Sequence, residues 1–359
     1  MSGRRISLVV LAAVALLAFA GYVLRADISL RVLQRVADRR LAANPIEGLE
    51  DGLHVGLCGA GSPFPDNRRG GPCTVVIAGK RMFLVDAGSG AARNLARMGF
   101  SPGGIEALFL THFHSDHIDG LGEVMLQRWG GAAHKDRLPV YGPRGVDSVV
   151  AGFMQAYTPD KFYRIAHHGE AVVPPTGFGG EPRGFAAPEP DGRVVLIDEP
   201  DLQVVAFTVN HAPVHPAVGY RIRYKDRTVV LSGDTSKCET VQREAQGVDL
   251  LVHEALSVPL VRALEHGAEK AGRDNLARIF DDIPGYHTTP EQAAEIARDA
   301  GVGFLLLNHI VPALPIPGSE AAFLGKAGEI YGGKLRIGVD GDFVSLPAGS
   351  KAIEFGNRD

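Results

Sequence analysis

A dense run of potential metal ligands occupies residues 111–117, which read Thr-His-Phe-His-Ser-Asp-His. The apolar segment 105–110 precedes it and has the composition of a buried strand in a parallel sheet. A helix is predicted to follow, over residues 123–129. Three imidazoles and one carboxylate therefore crowd one turn at the carboxyl end of a strand, where α/β folds usually place their chemistry. Imidazole and carboxylate together suit zinc and similar metals, so we predict a metal centre in an α/β fold.

Length and composition indicate a folded globular protein without an overall affinity for nucleic acid. The 359 residues suffice for a large core, and 45% hydrophobic with 22% charged residues is ordinary for such a chain. The net charge of −4 provides no general basic surface. Cys58, Cys73 and Cys238 are too few and too scattered for a disulfide framework or a thiolate zinc site. A Cys58–Cys73 disulfide would suit an oxidising compartment, but unpaired core cysteines are the favoured interpretation.

The amino terminus carries a signal for location. Arg4 and Arg5 precede nineteen uncharged, mostly apolar residues at 6–24, which is near the lower limit for crossing a bilayer. Residues 18–20, Ala-Phe-Ala, also fit a signal-peptidase site, so secretion after cleavage stays an alternative. The apolar run continues past that site, which favours an uncleaved membrane anchor. The positive-inside rule then places the rest of the chain outside the cytoplasm, in the periplasm or the extracellular space.

Three parts are predicted along the chain. Residues 1–25 form the transmembrane anchor or signal segment, residues 26–45 an amphipathic linker helix, and residues 46–359 one folded domain. Within that domain, residues 172–192 are rich in Pro and Gly. They are predicted to form a long surface loop or flap, with an insertion of no consequence as the alternative.

Further ligand-type residues follow other predicted strands of the domain. His211, Asp234 and His309 each stand at the end of an apolar strand, and so does Asp86. Four side chains in one turn cannot complete the coordination of two metals, so the missing ligands are expected to come from these strand ends. Asp86 is expected either to cap the next helix or to orient metal ligands.

This succession of residues resembles the metallo-β-lactamase superfamily over roughly residues 50–345. The resemblance implies a four-layer αββα sandwich, preceded here by the hydrophobic segment, with metals at the edge of the sheets. It implies two zinc ions, although other divalent metals also suit these ligands. One zinc would bind His112, His114 and His211, the second would bind Asp116, His117 and His309, and Asp234 would bridge both.

Within the superfamily, the chain is most similar to the ribonuclease Z and arylsulfatase-like branch. The similar segments, in chain order, are residues 59–63, 213–221, 232–235, 253–255, 287–293 and 308–310. The resemblance implies a hydrolase whose nucleophile is a hydroxide held between the metals, because zinc lowers the pKa of bound water to about 7. Asp116 would orient this hydroxide or accept its proton. His287 and Glu254 would assist the leaving group, as a His–Glu pair does in the related ribonuclease.

Departures from ribonuclease Z lead us to predict a small substrate. That enzyme needs a basic arm for tRNA, since phosphate contacts dominate such binding, whereas residues 172–192 are neutral to acidic. Leu256 and Val311 replace the Thr and Ser usual in that branch, and export would separate the domain from tRNA. We therefore predict a dinuclear zinc hydrolase of sulfate or phosphate esters, either arylsulfatase-like or a phosphodiesterase. Its partners are predicted to be a small-molecule ester and, through the N-terminal segment, a membrane, with nucleic acid disfavoured.

Three alternatives stay open from the sequence. The first is a tRNA 3′-processing endonuclease of the ribonuclease Z type. The second is a hydrolase of lactones, thioesters or β-lactams. The third is a non-catalytic metal-binding module of the cell envelope, against which the intact set of seven ligands argues.

Overall fold

The computed structural model describes residues 3–42, 44–189 and 192–358, and the chain divides into two compact units, Met1–Gly48 and Leu49–Asp359. The first unit contains helices α1 (Gly3–Val23) and α2 (Arg25–Ala42). Helix α1 covers the predicted apolar segment, and α2 covers the predicted amphipathic one.

Neither helix, among the described residues, has by itself the length and hydropathy of a bilayer span. The segments Val10–Val23 and Arg25–Arg39 together have the required length and composition, with a bend of 66° between them. The single-helix anchor, its orientation and its cleavage therefore stay predictions. Residues 1 and 2 of the predicted segment lie outside the described residues.

The second unit is built from strands and helices that alternate along much of the chain. Its strands are β1 (Gly52–Gly59), β2 (Cys73–Ala78), β3 (Arg81–Val85), β4 (Ile105–Phe109), β5 (Leu138–Pro143), β6 (Gly180–Phe185), β7 (Arg193–Asp198), β8 (Leu202–Thr208), β9 (Val218–Tyr224), β10 (Arg227–Leu231), β11 (Leu250–Leu256), β12 (Phe304–Val311), β13 (Lys334–Ile337), β14 (Asp342–Pro347) and β15 (Glu354–Asn357). Its α-helices are α3 (Ala91–Arg97), α4 (Ser115–Ile118), α5 (Leu121–Ala132), α6 (Val146–His168), α7 (Glu239–Glu244), α8 (Val258–Lys270), α9 (Asp274–Asp282), α10 (Pro290–Asp299), α11 (Ser319–Leu324) and α12 (Ala327–Tyr331). Short 3-10 turns occur at Pro102–Gly104, Pro175–Gly177 and Ile283–Tyr286.

These strands form two mixed sheets. Within the described part of the chain, the first sheet has eight strands in the order β15-β14-β1-β2-β3-β4-β5-β6, and the second has seven in the order β13-β12-β11-β10-β9-β8-β7. Strands β3 to β6 are parallel to one another, and so are β10 to β13. Parallel neighbours end at the same edge, so the segments after β3, β4 and β10 are brought to one side of the molecule.

The core lies between the two sheets because every second residue of a strand faces inward. Phe83 and Phe109 of the first sheet pack with Val204, Tyr220 and Ile222 of the second, and all five are buried. Helices α3, α5 and α6 contact the first sheet, while α10 packs on the second with α7 and α12 beside it. These four layers confirm the predicted αββα sandwich.

The prediction of a surface loop at residues 172–192 is wrong for residues 180–185, whereas residues 186–189 form neither helix nor strand. Residues 180–185 form β6, an edge strand parallel to β5, and residues 190–191 lie outside the described residues. The buried Trp129 indole donates to Pro174 O at 2.7 Å, and Val173 and Phe178 pack against the same ring. Backbone pairing with a neighbouring strand does not require an apolar sequence, so the Pro- and Gly-rich composition was misleading.

The favoured interpretation of Cys58 and Cys73 as unpaired residues is also wrong. They form a disulfide, because the antiparallel pairing of β1 and β2 sets Gly59 opposite Cys73. Cys238 is free.

Tyr220 links the two sheets by a hydrogen bond as well as by packing. Its hydroxyl is buried and donates to Leu110 O at 2.6 Å, directly before the ligand run. A buried carbonyl that loses its donor is costly, because no water replaces the lost partner.

Replacing Tyr220 by Phe is therefore expected to lower the free energy of unfolding by about 0.5–1.5 kcal/mol, measured by urea denaturation. Tyr224 lies in the same strand, and its hydroxyl bonds to the exposed Asp51 at 2.9 Å. The matched control Tyr224→Phe is expected to change stability by less than about 0.5 kcal/mol. Equal losses in the two variants would contradict a special role for the buried bond.

Candidate metal centre

The ligand run follows β4 and turns directly into α4. Thr111, His112 and His117 are buried, Asp116 is nearly so, and His114 is half-buried at the mouth of the site. His112 Nε2 lies 3.0 Å from His114 Nδ1. The tight turn thus directs neighbouring imidazoles at one point rather than spreading them over the surface.

Asp86 holds this turn in place from the end of β3. Its Oδ1 accepts from Thr111 N at 2.8 Å, its Oδ2 accepts from Thr111 Oγ1 at 2.9 Å, and Oδ2 lies 2.8 Å from His117 Nδ1. A carboxylate at Nδ1 fixes the ring and leaves Nε2 as the atom that faces the centre. Of its two expected roles, Asp86 takes the orienting one, since the cap position of α3 is Gly90.

The first ligand group combines the turn with the ends of β8 and β10. His112, His114, His211 and Asp234 each offer an atom within 4.8 Å of the others. His211 Nε2 lies 3.3 Å from His114 Nδ1, and Asp234 Oδ2 lies 3.9 Å from His112 Nε2.

The second group shares Asp234 with the first. Asp116, His117 and His309 offer atoms that also lie within 4.8 Å of one another. His309 Nε2 is 3.2 Å from both Asp116 Oδ2 and Asp234 Oδ2, and His117 Nε2 is 3.3 Å from Asp234 Oδ2. All seven residues singled out from the sequence as ligands therefore meet at one place.

His309 reaches the centre through an irregularity in β12. The pairing of β11 with β12 shifts between Glu254 and Ala255, so His309 is the extra residue of a bulge. Its φ of +44° lies in the left-handed region, which a residue with a side chain rarely adopts. The bulge turns the imidazole toward the ligands, and Ile310 N donates to Ala60 O just beyond it at 3.0 Å.

The geometry fits divalent metals. Atoms about 2.0–2.2 Å from one zinc lie roughly 3.3–3.6 Å apart in a tetrahedral shell, close to the separations in both groups. Asp234 Oδ1 and His117 Nε2 are buried, yet across the described residues neither makes a hydrogen bond. Buried polar atoms without partners are costly, and a bound cation would satisfy both.

Protonation also favours metal binding in the first group. Burial lowers the pKa of His112, His114 and His211 and outweighs the opposing effect of Asp234. These imidazoles are therefore neutral at pH 7, the form that binds metal. Burial likewise disfavours the charged form of His117, but the carboxylates of Asp234 and Asp86 outweigh it and hold the pKa of His117 well above its ordinary value. A metal must displace that proton.

A second polar pair lies beside the ligands. His287 Nδ1 is 3.1 Å from Glu254 Oε1, which also accepts from Thr288 N at 3.0 Å and Thr235 N at 3.2 Å. Burial opposes protonation of His287, but Glu254 prevails and raises the pKa of His287 to about 8. His287 also lies within 4.8 Å of Asp234 and His309 through one ligand atom each. The structure thus brings His287 and Glu254 to the centre together with Asp116.

The sequence analysis missed one wall of this site. A cavity of about 400 Å³ opens beside His114, Asp116 and His309, and its opposite side is apolar. Most of that side comes from α9 and the turn after it, which were not predicted as helical. The signal for α9 was present, since apolar residues recur at positions 276, 279, 280 and 283, the spacing of an amphipathic helix.

Comparison with known proteins gives a consistent result. A sequence profile of the metallo-β-lactamase superfamily matches residues 66–309. Ribonuclease Z of Mycolicibacterium gilvum (strain PYR-GCK) is 40% identical over 290 residues, which cover 80% of this chain and 94% of the relative. Ribonuclease Z of Mycobacterium avium (strain 104) is 36% identical over 300 residues, which cover 83% of this chain and 100% of the relative. The structure of the short form of human tRNase Z aligns with a TM-score of 0.57 and 21% identity. The alignment covers 82% of this chain and 99% of the human chain, which indicates a shared fold.

These findings overturn the predicted substrate. The prediction of a small sulfate or phosphate ester, arylsulfatase-like or phosphodiesterase, is wrong, and so is the expectation that disfavours nucleic acid, because the relatives are ribonucleases. The error has a physical origin. Net charge and the composition of one segment do not report where phosphate contacts form, and residues 180–185 of that segment are a strand rather than a loop. Two replaced residues, Leu256 and Val311, weigh little against similarity over 290 residues.

Replacing Asp86 by Asn removes the charge opposite His117 and preserves the size of the side chain. The variant is expected to bind zinc about 10- to 100-fold more weakly, the usual effect of losing a carboxylate behind a ligating histidine. Chelator competition measures the affinity. Asp119→Asn, in the same loop but exposed, is the matched control and is expected to match the parent. Unchanged affinity in Asp86→Asn would refute the orienting role.

Proposed function

The chain belongs to the metallo-β-lactamase superfamily and to its ribonuclease Z branch, and from this we propose that it is a metal-dependent endoribonuclease that processes the 3′ end of precursor tRNA. As a member of the superfamily it is a metal-dependent hydrolase. One observation carries the finer proposal: four of the seven clustered ligand residues and His287, which Glu254 holds, line one cavity in a chain 40% identical to a ribonuclease Z. The four ligand residues are His114, Asp116, Asp234 and His309.

Two zinc ions are the proposed cofactors, because both ligand groups combine imidazole with carboxylate, and Asp234 of the first group also lies 3.2–3.3 Å from His309 and His117 of the second. One zinc would be held by His112, His114 and His211 and the second by Asp116, His117 and His309, with Asp234 as a ligand that both could share. Bound metals of this kind supply a hydroxide nucleophile at neutral pH and neutralise the charge that develops on a phosphoryl group.

Asp116 is proposed to have two tasks. Its carboxylate lies 3.2 Å from His309 Nε2 and also lines the cavity, so it faces both the ligands and the substrate. Burial raises the pKa of Asp116, but His309 and His117 outweigh this and keep it below the ordinary value. The ionised carboxylate can therefore accept a hydrogen bond from the attacking water and orient it, or take its proton.

His287 is proposed to protonate the leaving oxygen. It lines the cavity, and Glu254 fixes the ring through Nδ1, which leaves Nε2 as the atom available to the substrate. Glu254 is itself immobilised by the backbone amides of Thr235 and Thr288. Because a ribose hydroxyl is a poor leaving group as an alkoxide, a positioned acid of this kind accelerates its departure by about 10²–10⁴-fold.

The full chain, loaded with zinc, is expected to cleave a precursor tRNA that carries a 3′ trailer, and a chelator is expected to abolish the reaction. Asp116→Ala should lower kcat by at least about 10²-fold, because it removes both a ligand and the group that handles the water. Asp119→Ala is the matched control. Product lengths on a denaturing gel and the rates give the measurement.

Two results would count against this substrate. One is the absence of cleavage by a preparation that holds zinc. The other is a location of the domain outside the cytoplasm in the living cell, as predicted from Arg4 and Arg5, because precursor tRNA is a cytoplasmic molecule.

His287→Asn is expected to lower kcat on precursor tRNA by about 10²–10⁴-fold and to affect much less the hydrolysis of bis(4-nitrophenyl) phosphate, whose leaving group needs no proton. The comparison of kcat on the two substrates separates acid catalysis from damage to the site. His266→Asn, on an exposed face of α8, is the control. Equal losses on both substrates would assign His287 a structural task instead.

A further inference from the structure

The cavity beside the metal centre has two unlike walls, and we propose that its apolar wall binds the nucleobase of the nucleotide that carries the leaving oxygen. This inference rests on the proposed function and names the part of the RNA that the site recognises. One wall consists of His114, Asp116 and His309 with Asp234 behind them. The opposite wall consists of Phe64, Leu276, Ile279, Ile283, Tyr286 and Val311.

The apolar wall belongs to the folded core and is not a loose flap. Phe64, from the segment after β1, stacks on Phe280 of α9 with ring centroids 5.8 Å apart. Phe280 is buried with Val261 and Leu256, so the residues beneath the wall are packed against α8 and β11. A preformed wall binds a flat ligand without first having to order itself.

Helix α9 and the turn after it supply apolar residues both to the core beneath the wall and to the cavity. Phe280 lies in that core, Leu276 and Ile283 belong to the core cluster and also line the cavity, and Ile279 lines the cavity one turn after Leu276. Ile279 is 51% exposed although it borders a site lined by charged groups. A base lying in the cavity would cover this exposed aliphatic surface.

Tyr286 connects the apolar wall to the reacting groups. Its carbonyl lies 3.0 Å from His211 Nδ1, and its ring centroid is 5.4 Å from that of His211 and 5.0 Å from that of His287. The apolar wall therefore begins next to the residue that protonates the leaving oxygen. Because Tyr286 adjoins His287, which is proposed to meet the leaving 3′ oxygen, the cavity is assigned to the base of the nucleotide that carries this oxygen.

The lining favours a base over a second phosphate. Among the described residues, neither Lys nor Arg lines this cavity, so apart from the metals a further anion would find only the His287 imidazolium there, which is already assigned to the leaving oxygen. Every base has a flat apolar face that stacks on aromatic and aliphatic side chains. The wall carries few polar groups able to read base edges, so it recognises the presence of a base and is tolerant of its identity.

The test compares two precursor tRNAs that differ only in an abasic site at the leaving nucleotide. Stacking of one base on such a wall corresponds to a preference of about fivefold to 150-fold in kcat/KM for the intact RNA. Ile279→Asn is expected to reduce this preference, and an unchanged zinc content and circular dichroism spectrum would show that the variant is folded. Leu264→Asn is the matched control, since Leu264 is 40% exposed on α8 but does not line the cavity.

A binding measurement supplies a second readout that does not depend on turnover. The same RNA carries 2-aminopurine at the leaving nucleotide and an uncleavable methylenephosphonate at the reacting bond. Stacking in the cavity should quench its fluorescence in the parent protein, and Ile279→Asn should reduce the quenching.

The outcomes distinguish a failure of the proposed base-binding subsite, the apolar wall, from a failure of the proposed endoribonuclease function. Equal cleavage of intact and abasic RNA would overturn the subsite and leave the endoribonuclease intact. Sensitivity to an abasic site only on the other side of the bond would overturn the assignment to the leaving nucleotide. Absence of cleavage of either RNA by the zinc-loaded parent would overturn the proposed function and this subsite with it.

Discussion

A buried carboxylate surrounded by imidazoles sets the conditions for the rest of this structure. Asp234 is 3% exposed, and its Oδ2 lies between 3.2 and 4.0 Å from ring nitrogens of His112, His117, His211 and His309. A charge removed from water is tolerated only when opposite charge or strong donors replace the water. The donors come from three separate segments of the chain, so the centre exists only when the strand ends of both sheets meet. Folding and assembly of the centre are one event, which a bound cation would stabilise further.

Two residues at these strand ends adopt strained backbone conformations. Parallel pairing brings the segments after β3 and β4 to one edge of the first sheet, and the segment after β10 comes from the second sheet, but Asp86 and His309 reach their positions only with φ values of +59° and +44°. Each such conformation costs on the order of 1–3 kcal/mol for a residue with a side chain. Asp86 is held there by the bonds from Thr111, and the bulge at His309 is followed by the bond between Ile310 and Ala60. Both strained residues therefore have local hydrogen bonds that hold them where they position or provide ligands.

The site separates chemistry from recognition. Imidazoles and carboxylates at the strand ends provide for hydrolysis, and this arrangement is compatible with many esters. Discrimination among substrates is proposed to depend on what surrounds those groups, here the apolar wall built by α9, Phe64 and Tyr286 and the His287–Glu254 pair. An RNA offers both an anionic phosphate and an adjacent flat base, which matches the two walls. Net charge over the whole chain carries no information about such a local match.

The sequence alone determined the seven ligand-type residues and the α/β class, because both depend on short-range patterns: four such residues within residues 111–117, and apolar strands that each end in His or Asp. The four-layer arrangement was implied by the resemblance to the superfamily. The sequence could not determine which segments become neighbours. The strand at 180–185 forms because β5 offers it a backbone partner, and the Cys58–Cys73 disulfide forms because β1 and β2 pair in that register. The apolar wall likewise arises only where α9 approaches residue 64. Only the tertiary structure decided these features, because their stability comes from contacts between residues far apart in the chain.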